Sequence, residues 1–472
     1  MRMKNESSFE YGKLPRKDVF IYAIGNISNT LLAGVFALMY VNFFWNYLGL
    51  NQGLFIIGQI IYATINAIND PITGNISDHT DKDKWGSRRL IYIKWFGPLW
   101  AIFFFLMWFP WSYDNQIVIF LHFVLSICIF DTFLSLIIGL YMSLMSEMTD
   151  SIQMRYKLSF YSNIVYAIAG IPVIFAQSIF DLGLELFQIF NGILAGISII
   201  VYIIAVRNLK ERPELKLEED YTLFQVMKVI IRSRAFLTRT GYQFFGNIAR
   251  SMGLSFLFAY MLILGSGSIV PLLFMAVTMG IGFISQVIYM RVENKWGMRK
   301  TILVFKTILI ITNLIAFAIV FNTDSTAIIW MCLVMVSIFG GFGVFDFALL
   351  TLVIDEDELK YGSRRESIFQ GTSSLMFKPA DSLGPIIATT ILTVFGFITG
   401  SITQSASGIL GIKVLLFVAP TIMHAISLIF IYLFPYHGEA YEKLHSDLLE
   451  LHAKKKEHYD KGSGERYGIG RK

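Results

Sequence analysis

A twelve-helix, all-α membrane protein in two pseudo-symmetric six-helix bundles is the fold this 472-residue sequence predicts. Three observations predict it. The chain is 55% hydrophobic and 15% charged, with a mean hydropathy of +0.59, where soluble domains carry about 25% charged residues. Twelve apolar stretches of helical length follow one another. Two short motifs recur at corresponding places in the first and second halves.

The predicted spans are 19–47, 54–76, 90–110, 117–145, 158–180 and 186–206, then 240–264, 270–292, 301–321, 327–354, 368–397 and 409–434. Pro71, Pro172, Pro271, Pro379, Pro385 and Pro420 lie within them; membrane helices tolerate such residues as kinks. Gly25-Asn26-Ile27-Ser28 in span 1 returns as Gly246-Asn247-Ile248-Ala249 in span 7, 221 residues later. Lys84-Trp85-Gly86-Ser87-Arg88-Arg89 after span 2 returns as Lys295-Trp296-Gly297-Met298-Arg299-Lys300 after span 8, 211 residues later. Two matches at similar offsets argue for duplicated halves. The expected division is a bundle over 1–206, a charged linker over 207–239, a second bundle over 240–435 and a polar tail over 436–472 that forms a short surface helix.

Charge fixes the expected orientation. The loops after spans 1, 3, 5, 7, 9 and 11 hold no Lys or Arg, while those after spans 2, 4, 8 and 10, the linker and both tails are basic. By the positive-inside rule both termini are cytoplasmic. The polar start through Asp18 is too charged for a cleaved leader, so span 1 is expected to be retained. A net charge of +5 spread over loops is no nucleic-acid signature. Cys128 and Cys332 sit inside apolar spans and read as small hydrophobes rather than a disulfide or metal pair. The sequence has no phosphate-binding loop, zinc spacing or nucleophile triad, so an enzyme is not expected.

Inside span 2, Asn66, Asn69 and Asp70 are spaced i, i+3, i+4 and share a helix face. A carboxylate there costs at least ~2.5–3.5 kcal/mol on insertion scales, so it needs a partner or a task. Three oxygen-bearing groups suit Na⁺, or a proton on Asp70. A basic side chain on a neighbouring helix would satisfy Asp70 equally well. Arg250 lies about mid-depth in span 7 and should face the bundle interior. Asp131, Asp346 or an anionic substrate could meet it. Lys378 and Asp381 sit i, i+3 in span 11, where they can neutralise each other or serve substrate and coupling. Thr30, Asn26, Asn29 and Asn247 suit a hydroxyl-rich ligand or interhelical hydrogen bonds. Asp78, Arg88 and Arg89, with Glu356, Glu358, Arg364 and Arg365, form a candidate cytoplasmic gate, or plain membrane-surface charge.

Three segments carry a family likeness. Ala67-Ile68-Asn69-Asp70-Pro71-Ile72-Thr73-Gly74, Trp85-Gly86-Ser87-Arg88-Arg89, and the run from Asp355 to Ser367 after span 10 resemble the glycoside–pentoside–hexuronide:cation symporters. These are the melibiose-permease-like group of the major facilitator superfamily. Lys378 stands where that family has a span-11 lysine. The chain departs from the family at Asn66, where an aspartate is usual, and at Thr30, Ile138, Met142 and Asn163, where sugar-binding residues are usual.

The resemblance implies a secondary transporter of a sugar, glycoside or sugar acid, coupled to Na⁺ or H⁺ with Asp70 central. Alternating access would work around a midplane site. It implies no other cofactor. The expected partners are a small solute, the coupling cation and lipids, with no nucleic acid, in a monomeric plasma-membrane protein. Transport of an amphiphile such as a lysolipid, or a non-transporting sensor, are the alternatives.

Overall fold

The structure is a computed structural model. It describes residues 14–78, 80, 85, 87, 89–148, 152–209, 230–255, 270–362, 366–401 and 403–460. The chain divides into two compact units, Met1–Glu219 and Asp220–Lys472.

In the first unit, span 1 is α1 (Arg16–Val41) ending in a π-helical turn, Asn42–Tyr47. Spans 2, 3 and 4 are α2 (Gln52–Asp78), α3 (Leu90–Leu106) and α4 (Gln116–Met148). Span 5 is broken into α5 (Ile152–Ile174) and α6 (Ala176–Leu182), and span 6 is α7 (Leu184–Asn208). The break follows Pro172, which has no N–H for the ladder. Helix α1 packs on α5 and α7, α2 on α4, and α3 on α4 and α7.

The second unit repeats that pattern. Spans 7, 8 and 9 are α8 (Arg234–Ser255), α9 (Val270–Trp296) and α10 (Met298–Phe321). Span 10 is α11 (Thr326–Ser337) and α12 (Val344–Tyr361); span 11 is α13 (Glu366–Phe377) and α14 (Pro379–Val394). Span 12 runs through α15 (Ala406–Lys413), a π-helical turn (Val414–Val418) and α16 (Ala419–Tyr432). Helix α8 packs on α13, α14 and α16, α9 on α11, and α10 on α11 and α16. Span for span, these are the partnerships of the first unit, which is what duplicated halves require.

Among the described residues, six helical segments are long and apolar enough to cross a membrane; they belong to spans 1, 4, 5, 6, 9 and 12. The spans that fall short include those interrupted by polar groups or breaks. Helix α2 carries Asn66, Asn69 and Asp70, and α8 carries Arg239 and Arg250. Span 10 is parted around Gly340-Gly341, where a Cβ on Gly341 would strike the Ser285 hydroxyl of α9. Span 11 is parted at Lys378-Pro379. Such interruptions persist in a membrane only where protein or a watery cavity receives them.

The expected linker differs at its C-terminal end. Residues 210–229 lie outside the described residues. Helix α8 begins at Arg234, six residues before the predicted span, because Arg239 is buried within the bundle instead of lying at a surface. After span 12 the tail forms α17 (Glu439–Asp460), which lies on α12 with Leu444 and Leu448 buried.

Candidate functional site

The first unit holds a buried acid between span 2 and span 4. Asp131 on α4 is 3% exposed. The Tyr62 hydroxyl of α2 donates to its Oδ1 at 3.1 Å, and Asn69 Nδ2 donates to its Oδ2 at 3.2 Å. Asn69 Nδ2 also reaches Thr132 Oγ1 at 3.3 Å. Tyr62, Asn66 and Asn69 lie on one face of α2, so a single helix presents all three. Asn66 Nδ2 makes only a long contact, 3.5 Å, to the Tyr62 hydroxyl. Its Oδ1 is buried and, among the described residues, has no hydrogen-bond donor. Two neutral donors thus reach the carboxylate, and an orphaned carbonyl oxygen lies on the same helix face as those donors. A cation or proton would relieve both. Among the described residues no group of three His, Cys, Asp or Glu side chains could hold a metal.

Within its own unit, Asp131 accepts from Tyr62 and Asn69. Arg250 instead meets Asp381 of α14, with Nη2 3.3 Å from Oδ1. The reason is geometric: α8 packs directly on α14, and Gly384 allows α14 to approach Ser251 so closely that a Cβ there would strike the Ser251 hydroxyl. Asp70 lies in α2, but its side chain is outside the described set.

Helix α1 presents its polar groups inward to its neighbours. Asn26 Nδ2 donates to Ser162 Oγ at 3.1 Å and to the Tyr22 carbonyl at 3.2 Å. Its Oδ1 accepts from Tyr166 at 3.0 Å and from Asn29 at 3.3 Å. The Tyr202 hydroxyl donates to Asn29 Oδ1 at 2.9 Å, and Thr30 bonds the Asn26 carbonyl at 2.8 Å. These groups are spent on joining α1 to α5 and α7. Asn247, the counterpart of Asn26 in span 7, makes no hydrogen bond among the described residues.

Of the gate residues, Glu356 bonds Lys360 one turn on and accepts from Ser233 at 3.2 Å. Burial and the Glu356 carboxylate raise the nearby Tyr436 hydroxyl above its ordinary pKa. Glu358 is buried and lies 3.1 Å from His452 Nε2 of α17. Thus the described gate acids bind groups of their own unit. Arg88, Arg364 and Arg365 lie outside the described residues, as does the Asp78 side chain; Arg89 is the N-cap of α3.

Two buried cations escaped the sequence reading. Arg239 is 3% exposed, donates to Ser373 Oγ of α13 and reaches the Asp346 carbonyl at 3.2 Å. The three arginines of Arg232–Arg239 make that run read as the end of the charged linker. The spacing of Arg239 from Arg250, eleven residues or three helical turns, was the signal that they share a face. Lys306 is 2% exposed, donates to Ser427 Oγ at 2.6 Å and lies 4.2 Å from the Tyr242 ring centre.

Two units with matching helix partnerships, spans interrupted by polar groups and charge buried among them are the build of a multi-pass membrane protein. The chain belongs to the MFS/sugar transport protein family, whose model matches residues 21–438. It is 27% identical over 206 residues to transmembrane protein 180 of Gallus gallus, covering 41% of this chain and 40% of that protein. The chain thus spans about two fifths of that relative's length. It is 24% identical over 302 residues to the uncharacterized symporter YjmB of Bacillus subtilis (strain 168), covering 62% of this chain and 64% of that protein. The crystal structure of nucleoside transporter NupG shares the fold at a TM-score of 0.60 and 15% identity, over 90% of this chain and 100% of NupG.

Proposed function

We propose that this protein is a cation-coupled symporter of a small polar solute, working by alternating access. The observation that carries the reading is the Asp131 cluster. A carboxylate 3% exposed in a membrane helix is costly, and Tyr62 and Asn69 both donate to it from a helix face that also carries Asn66. Asn66 Oδ1, on the same face of α2, is buried with no donor among the described residues and can coordinate a positive charge. Na⁺ or H⁺ supplies that charge; Asp131, Asn66 and Asn69 are its proposed ligands, with Asp70 of the same helix as a second carboxylate. The partial match to a protein named a symporter supports coupling. The family's sugar-transport description supports a polar solute.

The test needs no solute. Purified protein is melted with Na⁺ exchanged for choline, and separately across pH. A bound cation at one hundred times its Kd stabilises by about 2.7 kcal/mol. Wild type should gain stability from Na⁺, or from acid. Asp131→Asn, equal in size but uncharged, should lose that response. Asn66→Asp should strengthen the response to Na⁺. If the cation response is the same in wild type and Asp131→Asn, the coupling site is not here.

A further inference from the structure

Helix α17 lies on α12 without filling the space between them. On α17, Tyr441, Leu444, His445, Leu448 and His452 stand at i, i+3, i+4, i+7 and i+11, which is one stripe. On α12, Ala348, Thr351, Leu352, Asp355 and Glu358 stand at i, i+3, i+4, i+7 and i+10, again one stripe. The two meet where His452 Nε2 lies 3.1 Å from Glu358 Oε1, and Leu444 and Leu448 are buried. Ala348 and Thr351 are too short to close the rest. A cavity of about 340 Å³ remains between the helices, lined also by Met298 at the start of α10.

The lining has a definite chemistry. Met298, Leu352, Leu444 and Leu448 give it apolar walls. Asp355 brings a carboxylate and Tyr441 an accessible ring. The Tyr441 ring stacks on that of His445, with centroids 6.3 Å apart and planes within 3°, so its orientation is held. An aromatic face attracts positive charge, and a carboxylate does so more strongly. Both select a cation against an anion, and the walls select an apolar body. A carboxylate accepts several donors, so an ammonium joins the partners Asp355 already has. The volume falls in the range of small-molecule sites, about 300–1,000 Å³.

We infer that the cleft between α12 and α17 binds a hydrophobic amine. Its ammonium sits on Asp355 and the Tyr441 ring, and its apolar body lies along Leu352, Leu444 and Leu448. The site belongs to the second unit and shares no residue with the Asp131 cluster of the first. Its occupant touches both helices, so it adds to the two buried leucines and the His452–Glu358 contact that hold α17 in place. A ligand that binds only the docked form of α17 stabilises that form by mass action. The amine therefore fastens the tail to the end of span 10.

The experiment is thermal unfolding of the purified full chain at about pH 8, where imidazole is neutral and amines are charged. The probe is phenethylamine, with 2-phenylethanol as the neutral control and 3-phenylpropionate as the anionic one. The amine should give a saturable rise in melting temperature at millimolar concentration, and the two controls should give none. Asp355→Asn, equal in size, should weaken the amine about tenfold or more. Tyr441→Leu, at a half-exposed position, should weaken it about two- to fivefold. Ala348→Phe fills the cavity and should abolish the response. Asp355→Asn and Tyr441→Leu add no volume, so they read the site even where Ala348→Phe disturbs folding. An equal response to the alcohol overturns the inference, as does no response to the amine. An undiminished response in Asp355→Asn or in folded Ala348→Phe overturns it too.

Discussion

Gly25-Asn26 and Gly246-Asn247 are the same two residues at matching places in the two halves, and their surroundings differ entirely. Gly25 admits the Tyr141 ring, whose hydroxyl donates to the Tyr22 carbonyl at 2.8 Å. Asn26 has donors and acceptors filled by Tyr22, Ser162, Tyr166 and Asn29. Gly246 has no described atom over it, and Asn247 no described hydrogen bond. One copy of the motif closes a helix crossing; the other leaves a polar face open. Duplication repeats the fold without repeating what each copy of the motif packs against.

The largest expected effect separates the two glycines. Gly25→Leu drives a side chain into Tyr141, and overpacking of this kind costs about 1–3 kcal/mol, occasionally more. Gly246→Leu meets open space and removes a helix-interior glycine, a gain of up to about 1 kcal/mol. Thermal unfolding in one detergent compares them. Similar losses at both positions would break the contrast, because both glycines would then be packing sites.

The asparagines come next. Membrane hydrogen bonds average ~0.6 kcal/mol, so Asn26→Leu, which cuts its links to Ser162, Tyr166 and Asn29, should cost about 2 kcal/mol. Asn247→Leu should stay within about 0.5 kcal/mol of wild type, as substitutions without specific partners do. Unfolding of the two variants against wild type reads both numbers. A loss at Asn247 equal to that at Asn26 would show that span 7 holds a network of its own.

How much of this the sequence discloses follows the range of each interaction. The spans, their duplication and the membrane setting are local or periodic properties, and they can be read from hydropathy and from the two repeated motifs. Asn66 and Asn69 were legible as one helix face for the same reason. Their partner was not, because the register between α2 and α4 that brings Asp131 to Asn69 is set by side-chain packing over whole helices. Arg239 was hidden by charge: a polar run reads as linker until burial shows it entering the bundle. The Arg250–Asp381 pair depends on the close approach at Gly384, which no spacing within one helix encodes.

The smallest expected effect concerns Lys306, the most enclosed cation among the second unit's described residues. Its Nζ donates to Ser427 Oγ at 2.6 Å and lies 4.2 Å and 5.3 Å from the Tyr242 and Phe342 ring centres. A buried charge replaced by an apolar side chain of similar volume is often neutral or stabilising, because desolvation offsets most of what the charge gains. Lys306→Met keeps the volume and puts a polarisable sulfur against the two rings. Ser427 retains its own bond to the Tyr242 carbonyl at 2.8 Å, so no donor is stranded. Arg239 still reaches the Asp346 backbone carbonyl at 3.2 Å, so a cation stays at that residue. The melting temperature of Lys306→Met should therefore correspond to a change within about 1 kcal/mol, in either direction. A loss of about 3 kcal/mol or more is what stranding one member of a buried ion pair produces. That result would make Lys306 the counter-charge of Asp346.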